Sequence, residues 1–249
     1  MESDMNQTTK SAIVTGGSRG IGAAIAERLA RDGFSVAVNY SSDAASAEAL
    51  VRNIEKAGGH AFAAKGDVAD PAAVRALFES AQAAFGGVDV LVNNAGIMQL
   101  AKFADTDDAL FDRHIAVNLK GSFNGMREAA RHMRDGGRVI NFSSSVVGTR
   151  FENYGVYAAT KAAIETMTMI LAREMRGRSI TVNAVAPGPT ATDMFLNGKP
   201  AELVDRIAKM APLERLGTPE EIANVVAFLV GPEGRWINGQ TLRANGGMV

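Results

Sequence analysis

Short β-branched runs alternate with longer segments of helical period along almost the whole chain, and few folds accept that alternation. Ala12–Thr15 reads as a strand, and Ile21–Arg31 as an amphipathic helix with Ile21, Ile25 and Leu29 on one face. Ser35–Tyr40 is the next strand. Ala44–Ala57 is a helix ended by Gly58-Gly59, and His60–Lys65 is a third strand. Asp70 is a good N-cap with Pro71 in the first turn, so a helix runs from there to Gly86-Gly87. Val88–Val92, Arg138–Phe142, Ile180–Ala186 and 240–243 supply four more strands. Helical segments fall at about 106–118 and 121–135, at Tyr154–Arg176, near 200–210 and at 219–230.

Strands that are near-continuous apolar runs belong in sheets covered on both faces, and parallel crossovers are right-handed. The expected fold is therefore α/β, a Rossmann-type doubly wound parallel sheet of about seven strands with helices on both faces. One domain spanning 11–249, after a flexible tail at 1–10, accommodates all 249 residues. No charge-free stretch reaches the roughly 20 apolar residues of a membrane span, and the N-terminus MESDMNQTTK has no apolar signal core. Cys is absent, which removes disulfides and thiolate chemistry and suits a reducing, cytoplasmic setting. A net charge of −1 does not suggest nucleic-acid binding. His60, His114 and His132 are scattered, so no metal site is expected.

Ligands of such sheets bind at the carboxyl ends of the strands. After the first strand comes Thr15-Gly16-Gly17-Ser18-Arg19-Gly20-Ile21-Gly22, spaced T-G-x-x-x-G-x-G rather than G-x-G-x-x-G. Glycines let a pyrophosphate approach the backbone, and the helix that follows points its N–H groups at it. After the second strand, Asn39-Tyr40-Ser41-Ser42 lacks the carboxylate that would grip ribose hydroxyls. Small hydroxyl residues suit a 2′-phosphate there, with Arg19 to neutralise it, which points to NADP(H) over NAD(H). Asp67-Val68 follows the third strand, where a short acid suits an adenine amino group or a plain turn. Asn93-Asn94-Ala95-Gly96 follows the fourth, its small side chains leaving room for a flat ring. Ser143-Ser144-Ser145 follows the fifth. Tyr157 and Lys161, at i and i+4, then share one helical face. A free phenol ionises near 10, so acid–base work near neutral pH needs about 4 kcal/mol of help, from a neighbouring ammonium and an oxidised nicotinamide.

Together these segments resemble the short-chain dehydrogenase/reductase family in its compact single-domain branch, over about residues 10–249, and among its members the 3-oxoacyl-carrier-protein reductases. Further matches are Asn118, Pro187-Gly188 with Thr192, and Ile237-Asn238-Gly239-Gln240. The resemblance implies that Tyr157 passes a proton to or from the substrate oxygen and that Lys161 holds the nicotinamide ribose and lowers the phenol pKa. It implies that Asn118 supports a water-linked relay and that a serine bonds the carbonyl oxygen. Counting from Asn141 or back from Tyr157 gives Ser144, whereas counting back from Gly148 gives Ser145, so two anchors of three favour Ser144. It further implies cofactor contacts at Gly16, Ser18, Arg19, Gly20 and Ile21, at Asn39, Tyr40 and Ser41, at Asp67 and Val68, at Asn94, Ala95 and Gly96, and at Tyr157 and Lys161. Val185, Pro187, Gly188, Thr190 and Thr192 would line the nicotinamide side.

The substrate reading is coarser. Residues 189–216 form a long stretch with Met194, Phe195, Leu196 and Met210, expected to act as a lid. With Met98, Leu100, Phe151 and Tyr154 they could wall an apolar pocket. The expected partners are a small carbonyl or alcohol substrate held by Ser144 and Tyr157, copies of the chain in a homotetramer, and an acyl carrier protein met by Arg131 and Arg173. The expected activity is NADPH-dependent reduction of a ketone or aldehyde, including a 3-oxoacyl thioester. Oxidation of an alcohol or sugar uses the same residues. A non-catalytic NADP-binding module would be expected to have lost Tyr157 or Lys161.

Overall fold

A computed structural model describes residues 9–249. The expected N-terminal tail therefore lies outside the described residues, apart from its last two. Seven strands, β1 (Ser11–Val14), β2 (Ser35–Tyr40), β3 (His60–Lys65), β4 (Val90–Asn93), β5 (Arg138–Phe142), β6 (Thr181–Pro187) and β7 (Thr241–Ala244), form one sheet in the order β3-β2-β1-β4-β5-β6-β7. Every pairing is parallel. This is the Rossmann-type doubly wound sheet.

Among the described residues ten α-helices connect the strands: α1 (Gly20–Arg31), α2 (Ala44–Lys56), α3 (Pro71–Phe85), α4 (Asp108–His114), α5 (Gly121–His132), α6 (Val146–Thr149), α7 (Gly155–Glu174), α8 (Asp193–Leu196), α9 (Ala201–Ala208) and α10 (Pro219–Val230). The strands are buried throughout their centre, yet alternation still sorts their side chains. Ala12, Val14, Val90, Val92, Ile140 and Phe142 pack with α1, α2 and α10 through Ile25, Leu29, Leu50, Ile54, Ile222 and Val226. Ile13, Leu91, Val139 and Val182 point the other way, onto α3, α5 and α7 through Leu77, Phe78, Met126 and Leu171. Each fully buried side chain of this size is worth about 1.5–3 kcal/mol.

Helix ends follow the side chains that can satisfy them. Asp70 caps α3 by accepting from the Ala72 N–H at 2.9 Å, and Gly86 ends it at φ 76°, a left-handed conformation that glycine adopts without strain. One expectation changes. The segments at 106–118 and 121–135 are not separate helices. α4 passes through a π-helical turn, Ile115–Lys120, straight into α5. Gly121 does not break the helix because it serves a close approach: a Cβ there would lie 2.6 Å from Val68 Cγ2. α6 and α8 are single turns that carry no repeating apolar pattern, so periodicity did not reveal them.

The chain reaches one edge of the sheet at β3 and then returns to the centre at β4, beside β1. The carboxyl ends of β1 and β4 therefore flank the topological switch point, where ligands of such sheets bind.

Candidate active site

The turn after β1 and the turn after β4 are bound to one another. Asn94 Nδ2 donates to the carbonyls of Thr15 and Gly16, both at 3.0 Å. The Thr15 hydroxyl accepts from the Asn94 and Ala95 N–H groups at 3.0 and 3.1 Å. Gly16 has φ 59°, and a Cβ on it would sit 2.9 Å from Ala95 Cα. Asn39, buried at the end of β2, accepts from the Gly16 N–H at 3.3 Å and donates to the carbonyls of Ala64 and Gly66 at 3.2 and 3.0 Å. Asn39 thus ties β1, β2 and β3 together, leaving Tyr40 and Ser41 as the accessible side chains of that strand end.

This cradle fits a dinucleotide phosphate. α1 begins at Gly20 with no acidic residue in its first turn, and Arg19 occupies its N-cap with no side-chain capping bond. Asp43 accepts from the Ser46 N–H at 3.0 Å and caps α2. That hydrogen bonding holds its carboxyl below the usual range, with Arg19 adding a smaller electrostatic pull. Arg19 is therefore near the turn after β2. Its guanidinium makes no hydrogen bond or ion pair of its own among the described residues. Asp67 is exposed and bonds only its own turn, at Ala69 N–H, while Val68 is buried and its carbonyl accepts from Asn124. Across the cleft, a Cβ on Gly20 would lie 3.4 Å from the Thr192 methyl. Pro187 ends β6, the Gly188 N–H donates to the Ala244 carbonyl at 2.9 Å, and buried Thr190 donates to the Gly188 carbonyl at 3.0 Å.

Beyond β5 the chain gathers Ser144, Tyr157, Lys161 and Asn118. Tyr157 and Lys161 lie one turn apart on α7, and the Lys161 ammonium is 5.7 Å from the Tyr157 ring centre. Burial pushes the Tyr157 phenol up to about 12, opposed by hydrogen bonding from Ser144, with the neighbouring Tyr154 adding to the rise. Burial also brings Lys161 down to about 8. Lys161 Nζ donates to the Phe142 carbonyl at 2.8 Å, which leaves two of its three donors. Gly96 stands over this pair: a Cβ there would be 3.3 Å from Asn118 Oδ1 and 3.6 Å from Lys161 Nζ.

The two candidate serines differ. Ser145 is buried; its hydroxyl donates to the Ala186 carbonyl at 3.2 Å and accepts from Asn245 at 3.0 Å. Ser144 accepts only from the Val146 N–H, at 3.3 Å, and acts on Tyr157. Asn118 sits in the π-helical turn, fully buried. Its amide accepts from the Ile97 N–H at 2.8 Å and donates to the Ile97 carbonyl at 2.9 Å. Two residues at the site went unassigned by the sequence reading. Thr15 joins the two turns, and Thr160 donates to the Tyr157 carbonyl at 2.7 Å while accepting from Asn118 at 3.4 Å. Thr15 stood inside the T-G-x-x-x-G-x-G segment as a visible cue. Thr160 stood inside Y-x-x-x-K at a position that spacing leaves open.

Known proteins match the chain over nearly its whole length. The protein family described as enoyl-(acyl carrier protein) reductase matches residues 16–249. An Arabidopsis thaliana NADPH-dependent aldehyde reductase-like protein, chloroplastic, is 43% identical over 96% of this chain and 93% of its own length. The Staphylococcus aureus 3-oxoacyl-[acyl-carrier-protein] reductase is also 43% identical, over 96% of this chain and 98% of its own. A Burkholderia cenocepacia short chain dehydrogenase, solved in complex with NADP, superposes with a TM-score of 0.91 at 43% identity, covering 98% of this chain and 99% of that one.

Proposed function

The chain belongs to the short-chain dehydrogenase/reductase family of oxidoreductases, and we propose that within it the protein reduces a ketone or aldehyde to an alcohol at the expense of NADPH. The observation that carries this reading is the convergence of Ser144, Tyr157 and Lys161, with Gly96 against Lys161 and Tyr157 held protonated by burial. A protonated phenol is the form that reduction consumes.

NADPH, when bound, supplies the hydride to the carbonyl carbon. The chain's own residues handle the oxygen. The Ser144 hydroxyl and the Tyr157 phenol donate to the carbonyl oxygen, and as that oxygen becomes an alkoxide it takes the Tyr157 proton. The phenolate left behind is stabilised by the Lys161 ammonium and by Ser144. Ser144 is the catalytic serine in this reading, because both hydrogen-bonding roles of Ser145 are already occupied within the protein. The two remaining donors of Lys161 would hold the ribose and serve the relay beside Asn118. Arg19, with Tyr40 and Ser41, grips a 2′-phosphate, which favours NADP(H) over NAD(H); Asp43, the nearest acid, is engaged in capping α2.

Residues 11–249 form one domain in this account, with 189–216 as a lid over an apolar substrate. Aldehydes and 3-oxoacyl thioesters are both candidate substrates, since relatives named for each are equally similar. For a carrier-bound thioester, Arg131 and Arg173 would meet the acidic carrier, although Arg131 also pairs with buried Glu128 at 3.3 Å. Exposed Phe123, Met169 and Ile170 on α5 and α7 support assembly of copies into a homotetramer. Among the described residues no helix is long and apolar enough to cross a membrane, and the site of action proposed is the cytoplasm. The test is NADPH oxidation against aldehydes, ketones, quinones, sugar carbonyls and 3-oxoacyl thioesters, with Tyr157→Phe as control. Turnover should fall by about a thousandfold in the variant. Wild-type turnover that survives the substitution overturns the assignment of Tyr157.

A further inference from the structure

Of the three histidines only His114 is fully buried, and the mechanism above makes no use of it. We infer that His114 is a positioning residue, fixing both the Ile97–Gln99 segment beside the site and the ring of Tyr157. It is the last residue of α4, immediately before the π-helical turn. Its Nδ1 is 2.9 Å from the Leu110 carbonyl, and its Nε2 is 3.2 Å from the Gln99 backbone N–H. A carbonyl only accepts and an amide N–H only donates, so Nδ1 carries the proton and Nε2 offers its lone pair. The neutral imidazole alone meets both demands.

One helical turn on, Asn118 binds the N–H and the carbonyl of Ile97. The segment after β4 is thus pinned at alternate residues, Ile97 by Asn118 and Gln99 by His114. Its far end is fixed where the Ala101 N–H donates to the Asn153 carbonyl at 3.2 Å, just ahead of α7. The same imidazole meets Tyr157 edge-on, with ring centres 6.4 Å apart and planes at 78°. Tyr154 stands against Tyr157 at 6.3 Å and 66°. The Tyr157 ring therefore has two aromatic neighbours in edge-type contact, a favourable geometry for such pairs. One side chain sets the height of the segment beside the substrate and the attitude of the proton donor, and it touches neither substrate nor cofactor.

The inference rests on the carbonyl-reductase reading only for its kinetic arm. His114→Phe keeps a ring against Tyr157 and removes both hydrogen bonds. With benzaldehyde or acetoacetyl-CoA as the carbonyl, its KM should rise about tenfold, the worth of one buried hydrogen bond, while kcat and the KM for NADPH stay within about twofold. Gln99 amide hydrogen exchange should quicken by about tenfold in the same variant. His114→Gln keeps an acceptor and should recover most of the KM. His114→Ala also frees the Tyr157 ring and should lower kcat as well. Unchanged carbonyl KM and Gln99 exchange in His114→Phe would overturn the inference. So would a uniform loss of all kinetic constants in step with a lower Tm, which marks a merely structural residue. If the wild type reduces neither carbonyl, the functional reading fails by itself, and Gln99 exchange still decides whether His114 holds the segment.

Discussion

The cofactor cradle and the stretch from 189 to 216 lie on the same end of the sheet and are built differently. In the cradle, hydrogen bonds join residues far apart in the chain: Gly16 to Asn39, and Thr15 and Gly16 to Asn94. In the 189–216 stretch, side-chain bonds stay local, as from Thr192 to the Thr190 carbonyl and from Phe195 N–H to Thr192. The stretch is tied elsewhere by a few backbone bonds, with Gly217 exchanging two with Pro189 and Ala191, both at 2.9 Å, and Leu213 reaching Gly246. It also leaves Met194, Met210 and Leu213 about half exposed or more. Long-range bonds fix a shape before a ligand arrives, whereas local ones leave a segment free to adjust. In the proposed reading the cradle is preorganised for one cofactor, and the stretch would close on varied apolar substrates.

Tyr157→Phe gives the largest effect on turnover and touches neither region, so it sets the scale for the rest. Arg19→Ala comes next and probes the cradle's choice of cofactor. A charge-assisted contact to phosphate is worth roughly 1.5–3 kcal/mol, so the KM for NADPH should rise about 10- to 100-fold. The KM for NADH should barely move. Equal losses with both cofactors would mean that Arg19 holds the turn rather than the phosphate.

The same contrast explains what the sequence disclosed. The strand ends, the glycine turn, Asn94 and the Tyr157–Lys161 pair each lie in one short continuous segment whose spacing carries the geometry. Four of the seven strands needed a shift of only one or two residues at an end, and β2, β3 and β5 needed none. What stayed hidden depends on distant partners. At the π-helical turn the Asn118 amide takes both its partners from Ile97, far back in the chain. The place of Asn39 at a strand end was visible, but its three bonds, to Gly16, Ala64 and Gly66, were not. Ser144 and Ser145 are adjacent and chemically identical, so only the packing of Ala186 and Asn245 against one of them separates the pair.

That separation is testable at the next lower magnitude. Ser144→Ala should lower kcat by about 10- to 50-fold by removing one donor to the developing oxyanion. Ser145→Ala should cost about 1 kcal/mol of stability, read as a lower denaturation midpoint, with kcat within about threefold. The reverse pattern would move the catalytic role to Ser145. A pH profile sharpens the same centre. Burial brings Lys161 to about 8, so its ammonium is lost as pH rises through that value. Tyr157, pushed up to about 12, stays protonated there. The kcat/KM for reduction, which reports the free enzyme, should therefore decline on the alkaline side with a midpoint near 8. A decline centred near 10 would mean that Lys161 is solvated rather than buried before the cofactor binds.

The smallest effect is expected in the 189–216 stretch. Met194 is half exposed on the single turn α8, so Met194→Ala should change stability by less than about 0.5 kcal/mol. The KM for NADPH should not change either, because the cradle's bonds do not pass through this side chain. The KM for a bulky apolar carbonyl should rise about two- to fivefold, in proportion to lost contact area, while that for a small aldehyde stays level. That difference between two substrates, measured in one variant, is what a segment closing over the substrate predicts. If both substrates respond alike, or if NADPH binding weakens with them, Met194 belongs to the rigid half of the site, and the division between a fixed cradle and an adjustable cover fails at α8.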